Sequence, residues 1–208
     1  MPTRKYVSTV RSAAAAEKRE RVLSAASKLL REGRSISGVS VEAVAKTAGV
    51  TRLTVYNQFH SRRGLLEEVF DRIARTGGLG RIADAMSMTD PASAIERIVQ
   101  IFCEFWDHDP AIGRLSEASG SDPEFAQAID ERNERRRRVL TVLVGRLVER
   151  RKVQKVWARD VVDLIFALTS YPMFALLRKP GRPASKVCAM IQQTCRLVLV
   201  ENGGGNPG

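Results

Sequence analysis

The stretch from Ser40 to Phe59 constrains the fold more than any other part of the chain. It places two short segments, each opened by a hydroxyl residue, on either side of Ala48-Gly49-Val50. Ser40 supplies a side-chain oxygen for the first amides of one helix, whose Val41, Val44, Ala45 and Ala48 recur at helical spacing and face inward. Gly49 ends that helix, because so tight a turn needs a backbone of positive φ, which glycine adopts at no steric cost. Thr51 then caps a second helix reaching Gln58, and Val50 packs back between the two. A helix braced in this way presents its N-terminal turn outward, a geometry suited to a DNA major groove.

The remainder also reads as helices joined by short breaks, with no convincing run of strands, so the fold class expected is all-α. Residues 1–16 are expected as a basic, Ala-rich flexible arm carrying Arg4, Lys5 and Arg11. A first helix is expected from Glu17 to Arg31, with Val22, Ala26, Leu29 and Leu30 on one face. Ser61 caps another, in which Leu65, Leu66, Val69, Phe70 and Ile73 recur. Gly77, Gly78 and Gly80 mark a bend or linker, which divides a DNA-binding module at 17–76 from a helical body at 77–201. Within the body, Asp90-Pro91 and Asp122-Pro123 each pair a capping carboxylate with proline at the first helical position. The helix begun at Pro91 stops at Asp109-Pro110, and a shorter one spans Ala111 to Ala118. The one begun at Pro123 runs to Arg151. Two more are expected, Ala158 to Arg178 with a bend at Pro172, and Ala184 to Val200. Residues 202–208, rich in glycine, are expected as a disordered tail.

Charge is distributed unevenly. Residues 1–76 hold 15 Lys+Arg against 7 Asp+Glu, so +8 of the net +11 sits in about a third of the chain. A basic module on a near-neutral body suits a polyanion such as DNA. No apolar run reaches the roughly 18 residues that span a bilayer, and no N-terminal apolar region suggests export, so a cytoplasmic protein without a membrane partner is expected. Cys103, Cys188 and Cys195 are too few for a disulfide framework, and their expected role is packing. His60 and His108 have no cysteine neighbours in sequence, so neither a metal site nor a cofactor is expected. No nucleophile elbow, phosphate loop or histidine cluster argues for an enzyme.

Residues 21–66 resemble the TetR family of regulators. The resemblance runs through Arg21-Val22-Leu23, Ala25-Ala26, Leu29-Leu30, Val44-Ala45, Ala48-Gly49-Val50, Thr54-Val55-Tyr56, Phe59, Ser61-Arg62 and Leu65-Leu66. It implies an N-terminal three-helix helix-turn-helix DNA-binding domain and a C-terminal helical ligand-binding and dimerisation domain. It makes Thr51 to Gln58 the recognition helix, with Arg52, Leu53, Thr54 and Asn57 facing bases and Tyr56 and Arg62 contacting phosphate. Ser40 and Thr51 would offer hydroxyls and first-turn amides to phosphate oxygens. Residue chemistry agrees: Arg52 pairs with guanine, Asn57 with adenine, and Leu53 meets a thymine methyl. Leu53 stands where many members carry Gly or Pro, and Gly64 where many carry Glu, which weakens that helix start.

The resemblance further implies a homodimer through the last two helices, consistent with apolar residues on more than one face of each. The partner it implies is double-stranded operator DNA, repressed as a pseudo-palindrome and released by a small hydrophobic effector. Phe102, Phe105, Trp106, Phe125, Ile129, Leu143 and Phe166 are the candidate effector lining; a cavity and a dry core both fit them. A binding protein of the same fold without an operator remains the alternative. The run Arg135 to Arg138 is expected as a solvated face, its members pointing in four directions.

Overall fold

The computed structural model describes residues 4–33, 36–118 and 122–203. Among these the protein is all-α, with no strand. Eleven α-helices are described: α1 (Arg4–Glu32), α2 (Val41–Ala48), α3 (Arg52–Phe59), α4 (Arg62–Thr76), α5 (Ile82–Ser87), α6 (Pro91–His108), α7 (Pro110–Glu117), α8 (Pro123–Glu149), α9 (Ala158–Leu168), α10 (Tyr171–Leu177) and α11 (Ala184–Glu201). The chain divides into two compact units, residues 1–73 with 110–128, and residues 74–109 with 129–208. The Gly-rich tail from Gly204 onward lies outside the described residues.

In the first unit α1 packs on α2, α3 and α7. Its core holds Val22, Ala26, Leu30, Val44, Val55, Leu65, Leu66, Ile112, Leu115 and Phe125, all essentially inaccessible to solvent. Three features depart from the sequence-based expectation. Helix α1 begins at Arg4 rather than Glu17, because the run Ala13 to Ala16 has the highest helix propensity of any residue type and carries the helix through the expected arm. The segment 110–128 belongs with the helix-turn-helix rather than with the body. One tie that holds it there is Arg114, whose Nη1 donates to the carbonyls of Leu30 at 2.5 Å and Arg31 at 2.9 Å, closing the C-terminus of α1.

The third departure is Arg62, expected on phosphate. Its guanidinium turns inward: Nε donates to the Val39 carbonyl at 2.9 Å, Nη2 to the Ile36 carbonyl at 2.8 Å, and Nη1 to the Asp122 carboxylate. The side chain is 21% exposed and Asp122 10%. The geometry follows from the short turn at Ile36–Gly38: the Ile36 carbonyl, which accepts from the Val39 amide at 3.0 Å, and the Val39 carbonyl both face the start of α4. Asp122 has a second role, since its Oδ1 accepts from the Phe125 amide and caps α8. Gly64, which the sequence marks as a weak helix start, is required here. A Cβ at that position would run into the Phe59 carbonyl oxygen.

In the second unit α6 packs on α5, α10 and α11, and α9 on α10 and α11. Asp90 opens α6 as expected: its carboxylate accepts from the Ser93 amide at 2.9 Å and hydroxyl at 2.7 Å. Those bonds to Ser93, with Lys152 nearby, hold its pKa down to about 2. The expected helix from Ala158 to Arg178 is two helices. Thr169 closes α9, Ser170 caps α10, and the axes turn by 56°; Pro172 sits in the first turn of the new helix, where its missing N–H costs nothing. Asn202 and Gly203, assigned to the tail, are held: Gln154 donates its amide to the Asn202 carbonyl at 3.0 Å and its side chain to that of Gly203 at 3.4 Å. Among the described residues no single helix is long and apolar enough to cross a membrane.

Two substitutions test these supports. Arg62→Met removes the charged donor from two carbonyls and from one oxygen of a mostly buried carboxylate, and should cost about 2–4 kcal/mol in denaturant unfolding. Asp90→Ala should cost about 1 kcal/mol at neutral pH. The Asp90 contribution is present above the ordinary carboxylate pKa and fades as pH falls toward about 2, so the two proteins should converge in stability in acid.

Candidate nucleic-acid interface

The two-helix turn is built as its residues dictate. Ser40 Oγ accepts from the Ala43 amide at 3.1 Å, and Thr51 Oγ1 from the Thr54 amide at 3.2 Å. Gly49 takes φ 64° and ψ 39°. Its amide and that of Val50 reach back to the carbonyls of Lys46 at 3.3 Å and Ala45 at 3.0 Å, closing α2 in a Schellman turn. Val55 and Phe59 anchor α3 in the core, at 1% and 4% exposure.

The opposite side of α3 faces solvent. Arg52, Leu53, Tyr56 and Asn57 are exposed, and at 100° per residue they share an arc of roughly 140°. Leu53 is 68% exposed, which no packing role explains. Among the described residues nothing hydrogen-bonds or pairs with the side chains of Arg52, Tyr56 or Asn57. Thr54 is half-buried, and its hydroxyl shares a 2.9 Å hydrogen bond with that of Thr51. Thr51 and Ser40 are exposed, so their hydroxyls sit at the surface while they cap. Seven of the eight sequence-assigned DNA contacts are thus surface or half-buried groups of α2 and α3, while Arg62 is turned away.

Helix α1 flanks this surface, a feature the sequence did not reveal. Ala14, Ala15 and Lys18 line a groove of about 350 Å³ with Thr54, Asn57 and Gln58. Gln58 is fixed there, its Nε2 donating to the Ala15 carbonyl at 3.5 Å and its own carbonyl accepting from Arg19 at 3.1 Å. Arg19 also pairs with Glu68 at 2.7 Å and lies 4.5 Å from the centre of the Phe59 ring. It therefore secures α3 to α1.

The candidate effector residues do not fall together. Phe125 is buried in the first unit. In the second unit Phe102, Phe105, Ile129 and Leu143 are buried, while Trp106 and Phe166 are half-buried. Trp106 is the hub of their aromatic contacts, with ring centres 5.9 Å from Phe102, 4.8 Å from Phe105 and 5.6 Å from Tyr171. Among them lies Arg136, one of the four arginines expected as a solvated face, and it is buried. Its position is i, i+4, i+7 with Leu140 and Leu143, so the helix itself turns it inward. A separate cleft of about 540 Å³ between α6 and α11 is lined by Cys103, Glu104, Asp107, His108, Cys188 and Gln192, among others. A thiol hydrogen bond between the two cysteines raises the pKa of Cys103 and lowers that of Cys188.

Known proteins share this arrangement. Residues 22–69 match the sequence profile of the bacterial regulatory proteins of the tetR family. The HTH-type transcriptional regulator EthR of Mycolicibacterium smegmatis is 33% identical over 111 residues, which cover 52% of this chain and 51% of that protein. The chain thus spans about half the length of the curated relative it matches. A TetR-family transcriptional regulator from Syntrophomonas wolfei superposes with a TM-score of 0.75 at 14% identity, covering 92% of this chain and 99% of that one. The regulator FadR from Bacillus subtilis, solved with stearoyl-CoA, gives 0.68 at 15% identity over 86% and 97%. Those two likenesses concern the fold, whereas the profile and the EthR match rest on sequence. The helix-turn-helix built around Gly49 thus carries the sequence pattern of the tetR family of bacterial regulatory proteins, over residues 22–69.

Proposed function

We propose that this protein is a DNA-binding transcription regulator that reads an operator through α3, acts as a homodimer, and is released by a small effector bound in its second unit. The observation that carries the reading is the solvent-facing set Arg52, Leu53, Tyr56 and Asn57 on a helix anchored from behind by Val55 and Phe59. Arg52 offers a bidentate donor to guanine O6 and N7, Asn57 a donor and acceptor to adenine, and Leu53 an apolar contact to a thymine methyl. Tyr56, with the caps at Ser40 and Thr51, is suited to the phosphates that set register. Arg62 acts behind them as a brace on the α2–α4 frame.

A dimer supplies what one short helix lacks. Two copies of α3 engage half-sites about 34 Å apart on one face of the duplex. Leu164, Leu176, Leu197 and Val200 support pairing through α9 to α11, since each is a large apolar side chain at least 48% exposed in the single chain. Repression by occupying a promoter is the output we assign. The effector releases DNA to the extent that it binds the DNA-incompetent arrangement more tightly. The stearoyl-CoA complex of FadR is a precedent for a ligand with an apolar body in this fold.

Gel-shift titration with duplex from beside the gene, against competitor DNA at fixed salt, tests the reading. Arg52→Ala should weaken the specific complex about 10- to 100-fold, as expected for one bidentate base contact, with unfolding unchanged within about 0.5 kcal/mol. Equal binding of wild type to all duplexes would contradict it. Leu197→Glu should convert a dimer to a monomer in sedimentation and lose operator affinity with it; a wild-type monomer at micromolar concentration would contradict the paired reading.

A further inference from the structure

Arg136 is 7% exposed, and among the described residues no carboxylate pairs with it. Its Nη1 donates to the Thr169 carbonyl at 2.6 Å and its Nη2 reaches Asn133 Oδ1 only at 3.5 Å. Nε, buried, has no hydrogen-bond partner among the described residues. The guanidinium lies near two aromatic rings, with the Phe166 centre at 4.1 Å and the Phe102 centre at 5.6 Å. Burial pushes its pKa down to about 10, and the like charge of Arg137 adds to this. The group is still a cation at neutral pH.

A cation kept out of water without a counter-ion needs a reason. Closing α9 is not sufficient, because the Thr169 carbonyl already accepts from Trp106 Nε1 at 3.0 Å. Nε is unpartnered among the described residues and Nη2 has only the long bond to Asn133, and together they form the edge that receives a carboxylate side-on through two parallel hydrogen bonds. Around the guanidinium stand Phe102 and the half-buried Phe166, with Trp106, also half-buried, sharing its Thr169 acceptor.

We propose that Arg136 is an anion receptor, and that the effector is a carboxylate carried on an apolar or aromatic body. This deepens, and rests on, the reading of the second unit as the effector-binding part. The ligand's two oxygens meet Nε and Nη2, while its apolar body lies against Phe102, Trp106 and Phe166.

The full-length protein is titrated by calorimetry and thermal unfolding with 4-phenylbutanoate and decanoate, each beside its primary amide. At least one carboxylate should bind and raise the unfolding temperature, its amide binding about 10- to 100-fold more weakly, as for a lost hydrogen bond to a charged group. R136M and R136Q should abolish that preference. Without ligand, R136M should be as stable as the wild type or more so, since a buried unpaired charge is gone. A clear loss of stability in R136M would make the arginine a structural cap and overturn the proposal. So would the absence of binding by both carboxylates. Equal binding of acid and amide would overturn the anion inference and leave the effector reading standing. Operator affinity of unliganded R136M should match wild type, so failure here is separable from failure of the DNA-binding reading.

Discussion

Everything this protein presents outward depends on a backbone reversal at one glycine. Gly49 holds φ at 64°, and the paired bonds from Gly49 and Val50 back to Lys46 and Ala45 lock the exit from α2. A side chain there would find space, since no atom lies within 4 Å of an added Cβ. What it would not find is a comfortable backbone, because a Cβ disfavours the left-handed region by roughly 1 kcal/mol or more. The constraint is conformational. With the reversal fixed, the direction of α3 is set by two buried anchors, Val55 and Phe59, and by Arg19 joining α3 to α1.

Arginine appears in three physical states in this molecule, and the distinction between them organises its function. Arg52 stands in water with no partner among the described residues, ready to exchange hydration for a base edge. Arg62 is bonded to two carbonyls and Asp122, so its charge is answered and its work is mechanical. Arg136 is buried beside rings, its Nε without a hydrogen-bond partner among the described residues. Composition counts the three alike in the net +11. Environment separates them, and the proposed function takes them as a reader, a brace and a receptor.

What the sequence revealed was local. Caps at Ser40, Thr51, Asp90 and Asp122 were legible because the side chain and the amides it serves lie three residues apart. The all-α class followed from the same short-range periodicity. What escaped was long-range. Arg62 has acceptors 23, 26 and 60 residues away, and nothing around Ser61-Arg62 announces that these exist. Arg136 lies in a charged run that reads as surface, and only its register with Leu140 and Leu143 placed it inward. The extension of α1 to Arg4 was obscured by basic residues that suggested an arm, although the alanine run pointed to a helix. The set of candidate effector residues mixed two units, because aromatic character marks burial without saying in which core.

The central claim, that the exposed face of α3 is where this protein meets DNA, is tested most directly by amide hydrogen exchange of the full-length protein with and without an operator duplex. The account predicts new protection at Arg52 to Asn57, extending to the capped first turns after Ser40 and Thr51, and none with a scrambled duplex of equal length. Protection confined to other helices, or identical with both duplexes, would contradict it.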